Sequence, residues 1–295
     1  MSVDQRTAPL LVLGGVVSVQ FGGALAATLV PRIGAPGSVL LRLLFAMVIL
    51  CLVARPSLRG HRRSDWATVT LFGLALAAMN TAFYESLGHL PIGVAVTIEF
   101  LGPLGLAAIS SRRPRDILAV VAAGLGVVLV SGVLHTSWDA LDLVGVGFAA
   151  LAGGMWAAYI VLSQRTGKAF VGLDGLAIAL VVSTVVVAPL GLGSLDRWTS
   201  RDVLLGLGIA VLSSVLPYSL ELMALRHLAQ RVFGILLSLE PVVAALAGLV
   251  VLHQVLAPGQ VAGMALVVLA SAIVLGAQTR PEGRPDAPDP ALGPG

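Results

Sequence analysis
The amino-acid sequence predicts an all-α membrane protein with ten transmembrane helices in two inverted five-helix repeats. Three observations carry this. The chain of 295 residues is 57% hydrophobic and only 11% charged, whereas soluble domains carry about 25% charged residues. Apolar stretches of roughly 20 residues, the length that crosses a bilayer, recur ten times between short polar breaks. The same landmarks also return at nearly fixed offsets: His89-Leu90 and Pro103 reappear as His227-Leu228 and Pro241, and Gly22-Gly23 as Gly153-Gly154. Mean hydropathy is +0.98. The small basic excess, 18 Lys and Arg against 15 Asp and Glu, is scattered through loops, which argues against nucleic acid as a partner.

The first span covers about 10–30. Its Ala24-Leu-Ala-Ala27 stretch mimics a leader cleavage site, but the apolar run has full span length and others follow it, so it reads as an uncleaved helix. Pro31-Arg-Ile-Gly34 ends it. The second span, 36–54, contains Arg42 and Cys51, a lone cysteine expected to be buried and inert, and stops at Arg55-Pro56. The third, 66–85, opens with Trp66 and closes with Asn80, Tyr84 and Glu85. The fourth, 92–111, carries Glu99 and Pro103 and ends at Arg112-Arg-Pro114. The fifth covers 116–134 and ends at His135.

The second set begins with 142–162, which holds Gly153-Gly154, Trp156 and Tyr159, with Ser163 just beyond. Then come 173–193, with Ile178 near the place that matches Arg42, and 203–222, with Tyr218 and Glu221 at its end. The span 232–252 carries Glu240 and Pro241, and 258–277 is the last. Trp66 and Trp198 read as interface anchors, and His89 and His227 as solvated loop residues. The expected units are 1–139 and 140–277, followed by a disordered cytoplasmic tail, 278–295, rich in Pro, Gly and Asp.

Basic residues orient the bundle. With the N-terminus inside, 14 of the 18 Lys and Arg residues fall on the inner side. Arg32, Arg197 and Arg201 fall on the outer side, and Arg42 within a span. Both termini are then cytoplasmic. A repeat of five spans is odd-numbered, so its two copies face opposite ways about an axis in the membrane plane. The paired glycines, with Ala26-Ala27 and Ala157-Ala158 four residues on, form small-residue rows that let helices approach closely in lipid.

Ionisable groups at membrane depth mark function. Glu99 lies about 10 Å into its span at 1.5 Å per residue, and Glu240 enters from the opposite side. Both are candidate proton carriers, and Glu99 is also a candidate ligand for a substrate ammonium. Arg42, at a depth near that of Glu99, is a candidate ligand for a substrate carboxylate. Asn80, Tyr84, Tyr218 and Trp156 are expected to line the same site. Pro103 and Pro241 are expected to kink or break their helices by removing a backbone donor. The sequence shows no nucleotide-binding loop, no metal-spaced Cys/His set and no nucleophile elbow. The reading is therefore a carrier driven by an ion or substrate gradient, not an enzyme, with neither cofactor nor metal.

Several stretches go beyond architecture. Pro36–Leu43, Met79–Glu85, Ile92–Leu104, Ser110–Pro114, Pro217–Glu221 and Phe233–Pro241 resemble the EamA-type transporters of the drug/metabolite transporter superfamily, and most of all the bacterial threonine and homoserine exporters. The resemblance runs through about 10–277. It implies ten helices in two inverted repeats in the bacterial inner membrane. It also implies efflux of a small zwitterionic amino acid or related metabolite by alternating access, coupled to protons, from a monomer or homodimer. The exporter pattern implies a neutral residue where this chain has Glu85. A lipid or drug flippase or efflux carrier of the same fold is the alternative.

Overall fold
The structure, a computed structural model, describes residues 7–111, 113–135, 142–252 and 257–278. The expected tail from Thr279 onward lies outside the described residues. So do Arg6, Arg112, Arg280 and Arg284 of the orientation argument, and the side chains of Ala24 and Ala27. Every regular element among the described residues is helical.

Helix α1 (Ala8–Ala54) has 47 residues. Unbroken, it would measure about 70 Å, more than twice the hydrocarbon core. It breaks at Gly34, whose φ of 79° and ψ of 166° suit a residue without a side chain. The two arms then lie side by side. Ala26 and Leu29 share an apolar cluster with Leu41, although a straight helix would hold Leu29 and Leu41 about 18 Å apart.

Next come α2 (Arg63–Leu87), α3 (Ile92–Ser110) and α4 (Pro114–Ser131). Proline opens α4, where a missing N–H costs nothing, and Gly132 closes it at φ 73°. Helices α5 (Leu143–Ala169) and α6 (Asp174–Gly191) follow. Helices α7 (Ser200–Ala210) and α8 (Leu216–Leu225) are joined by one π-helical segment, Val211–Val215. Pro217 explains this widening, since it offers no donor to the carbonyl four residues earlier. The Ser18 hydroxyl of α1 donates to the neighbouring Leu212 carbonyl at 2.7 Å. Helices α9 (Gln230–Leu237), α10 (Glu240–Leu252) and α11 (Pro258–Gln278) complete the chain.

By length and composition, seven helical stretches among the described residues can cross a membrane, and Ala8–Gly23 and Val94–Ser110 are apolar but shorter. That is fewer than the ten that the sequence predicts. One cause is local: the predicted span 232–252 is split at Ser238-Leu239 into α9 and α10, each shorter than a bilayer crossing.

The core is built from Phe72, Leu76, Tyr159, Ile160, Leu176, Leu180 and Phe233, all buried. Small residues set the closest approaches. A methyl group on Gly126 of α4 would lie 2.7 Å from the Gly263 carbonyl of α11, and one on Gly263 would lie 2.7 Å from the Gly126 carbonyl.

Candidate functional site
The second arm of α1 carries Arg42 into the interior, where it is 7% exposed. Its Nη2 donates to Asn80 Oδ1 of α2. Its guanidinium carbon sits 5.6 Å from the centre of the Tyr84 ring, one turn further along the same helix, within the range of a cation–π contact. Arg42 Nε is buried and has no protein partner.

Asn80 is held in turn. Its Nδ2 donates to the Leu76 carbonyl at 2.7 Å and to the Tyr218 hydroxyl at 3.2 Å. Asn80 and Tyr218 are 138 residues apart, the same interval that separates His89 from His227. Tyr218 stands in the first turn of α8, and its ring lies 5.7 Å from that of Tyr159. The Tyr159 hydroxyl donates to Glu221 Oε2 at 2.6 Å. Hydrogen bonds thus link Arg42, Asn80 and Tyr218, and the Tyr218 ring packs on Tyr159, which is bonded to Glu221.

Glu99 of α3 is 9% exposed. The next residue, Phe100, meets Trp156 of α5 edge to face at 4.9 Å between ring centres. Glu240 lies in the first turn of α10, where the helix dipole favours an acidic side chain. The Gln20 amide of α1 reaches the Glu240 carbonyl at 3.4 Å.

These groups line one cavity of about 600 Å³. It brings together Arg42, Asn80, Tyr84, Glu99, Trp156, Tyr218, Glu240 and Pro241. Sequence reasoning placed Glu221 at a span end; it faces this cavity, as do Gln20, Ser213 and Gln260. The signal for Glu221 lay in Pro217–Glu221, where the acid follows Tyr218 by one turn. Glu85 is half-buried and is not among the lining residues. Among the described residues, no ion pair joins Arg42 to Glu99; the arginine is held by a neutral amide instead.

The two prolines behave differently. Pro241 follows the turn at Ser238-Leu239 and sits in the first turn of α10. The break expected at Pro103 is absent: α3 runs continuously from Ile92 to Ser110. Pro103 removes the helical donor of the Glu99 carbonyl, but neighbouring backbones clamp the helix on both sides. A methyl on Gly153 of α5 would lie 2.6 Å from the Glu99 carbonyl oxygen, and one on Gly234 of α9 would lie 2.7 Å from the Pro103 carbonyl oxygen.

Outside the cavity, ion pairs tie helix ends together. Arg32 Nε meets Asp202 Oδ1 at 2.6 Å, and Arg231 Nε meets Asp116 Oδ2 at 3.3 Å. The exposed His89 Nδ1 meets Asp142 Oδ2 at 2.7 Å. No group of three or more metal-ligating side chains occurs among the described residues.

Apolar helices packed around a cavity that holds several polar and ionisable side chains define a multi-pass membrane protein of the transporter class. The chain belongs to the EamA-like transporter family, whose sequence profile matches residues 143–276. It is 38% identical over 266 residues to the threonine/homoserine exporter RhtA of Salmonella typhimurium (strain SL1344), covering 89% of both chains. It is 37% identical over 264 residues to the RhtA of Escherichia coli (strain K12), again covering 89% of both. One solved crystal structure has the same fold, with a TM-score of 0.74 at 19% identity over 91% of this chain and 96% of that one.

Proposed function
We propose that this protein exports a small zwitterionic amino acid of the threonine and homoserine class across the bacterial inner membrane, by alternating access coupled to protons. One observation carries the reading: one cavity presents a guanidinium, Arg42, and a buried carboxylate, Glu99, that no protein bond ties together. A zwitterion completes both. Its carboxylate takes the free N–H groups of Arg42 and its ammonium takes Glu99, in charge-assisted hydrogen bonds. Asn80 and Tyr84 fix the guanidinium, Tyr218 fixes Asn80, and Trp156 with Phe100 forms an apolar wall. The substrate class follows that of the exporters to which the chain is similar.

The architecture belongs to the same proposal: ten crossings, two inverted units at 1–139 and 140–277, and both termini cytoplasmic. Supporting it are the reciprocal approach of Gly126 and Gly263 and the contact of Asn80 with Tyr218 at the repeat interval. The extent of the family match, 143–276, also coincides with the second unit. The two units rock about the cavity and expose it to each side in turn. Protons arriving at Glu99 or Glu240 displace the bound ammonium and reset the carrier, which works as a monomer or homodimer.

Proteoliposomes loaded with labelled threonine or homoserine test this. An imposed pH gradient accelerates efflux, and Glu99→Gln or Arg42→Ala abolishes it. Full efflux in both variants would remove the site assignment. Cysteine labelling from either side of the vesicle checks the topology.

A further inference from the structure
The charges around the cavity do not balance for a simple zwitterion. Three carboxylates, Glu99, Glu221 and Glu240, face one guanidinium, Arg42. Glu221 accepts the Tyr159 hydroxyl at 2.6 Å. Arg42 is tied to the neutral amide of Asn80, and its buried Nε has no partner. Among the described residues, the side chains of Glu99 and Glu240 have neither a hydrogen bond nor an ion pair. An unpaired ion at this depth is costly, so each of these two carboxylates calls for a positive partner from outside the protein. Threonine or homoserine brings one ammonium. The second carboxylate is then left for a proton.

On the amino-acid export reading just given, we propose that the same site also takes diamino acids, with the α-ammonium on Glu99, the carboxylate on Arg42 and the side-chain ammonium on Glu240. Homoserine and 2,4-diaminobutyrate have side chains of equal length and differ only in a terminal hydroxyl against an ammonium. The cavity of about 600 Å³ admits either. Glu240 stands at the start of α10, beyond the break at Ser238-Leu239, so its carboxylate is presented to the cavity by a helix end rather than by a continuous helix wall. A side-chain ammonium there replaces the proton that a neutral substrate leaves behind. Glu240 is thus the residue that separates monoamino from diamino substrates.

The test compares the binding of homoserine and 2,4-diaminobutyrate to the full chain in nanodiscs. The wild type is expected to bind diaminobutyrate ~10-fold more tightly, the size of one charge-assisted hydrogen bond. In Glu240→Gln the ratio of the two dissociation constants falls to about 1. Glu240→Asp keeps part of the preference, which separates loss of charge from loss of fold. Binding of homoserine without a preference for diaminobutyrate in the wild type overturns the inference and leaves the export reading standing. A preference that survives in Glu240→Gln overturns the role of that residue. If neither ligand binds, the export reading fails and the inference fails with it.

Discussion
The backbone of Gly153 presses on the carbonyl group of Glu99: a methyl group on Gly153 would lie 2.6 Å from that oxygen. The carbonyl is the one that Pro103 deprives of its helical donor. Glycine on one helix and proline on the other therefore set how closely α5 approaches the backbone of α3 at Glu99.

Gly153→Ala should separate α3 from α5 and displace Glu99. Overpacking of this kind costs about 1–3 kcal/mol, and export should fall with it. Gly154→Ala is the control, because a methyl there meets nothing within 4 Å. Thermal unfolding of the purified pair, together with efflux from proteoliposomes, reads both effects. Equal behaviour of the two variants would refute the role given to Gly153.

Arg42→Lys should not rescue Arg42→Ala. The lysine ammonium is a compact charge and cannot bond Asn80, stack on Tyr84 and offer a fork to a carboxylate at once. Substrate affinity in the lysine variant should fall by ~10-fold or more, as expected when a bidentate charged contact is lost. Equilibrium binding of labelled threonine checks this, and an unchanged affinity would mean that Arg42 is structural.

Tyr159→Phe leaves Glu221 without its 2.6 Å hydroxyl donor. An unsatisfied buried group costs about 1–3 kcal/mol, and more when it is charged, so this variant should melt below the wild type. Glu221→Gln combined with Tyr159→Phe should recover part of the loss, because the double variant buries no unpaired acid. A double-mutant cycle of melting temperatures measures the coupling.

Asp142 caps α5 from just ahead of the helix, outside the span. The Val144 backbone N–H and, next, the His89 side chain hold its carboxyl below the ordinary range. A depressed folded value means that the contribution is present above the unfolded carboxylate value of about 4 and is lost as pH falls through the folded one. Asp142→Asn keeps a capping oxygen but not the charge. The gap in melting temperature between wild type and variant should therefore be open at neutral pH and close in acid. A gap that does not change with pH would show that the charge contributes nothing.

Much of the fold was legible in the sequence because a bilayer demands long apolar runs, and breaks between such runs show as proline, glycine and arginine. The predicted segments fall largely on helix, from Ala8 at the start of α1 to Gln278 at the end of α11, although 232–252 is divided at Ser238-Leu239. The π-helical widening at Val211–Val215 and the split between α9 and α10 were less visible. Proline marks both, yet Pro103 sits in an unbroken helix, so a proline alone does not say whether its helix yields. The neighbours decide: Gly153 and Gly234 bring backbone against α3 on two sides.

The candidate site divides in the same way. Arg42, Glu99 and Glu240 stand out in any hydropathy reading, because charge at that depth is expensive in lipid. Glu221 sits near a helix end in sequence and gave a weaker signal. Its role appears only where α5 and α8 meet and Tyr159 reaches it.

The sequence by itself determined that this chain is a helical membrane protein with rare ionisable groups among apolar spans, since solvation free energy is a property of composition along the chain. Only the tertiary structure decided which of those groups share a cavity and which are already satisfied. That Arg42 bonds Asn80 rather than Glu99, and that Glu221 is held while the Glu99 and Glu240 side chains have no partner among the described residues, depends on short-range contacts between residues far apart in the chain. Such contacts are set by how the helices pack, and no local pattern in the sequence records them.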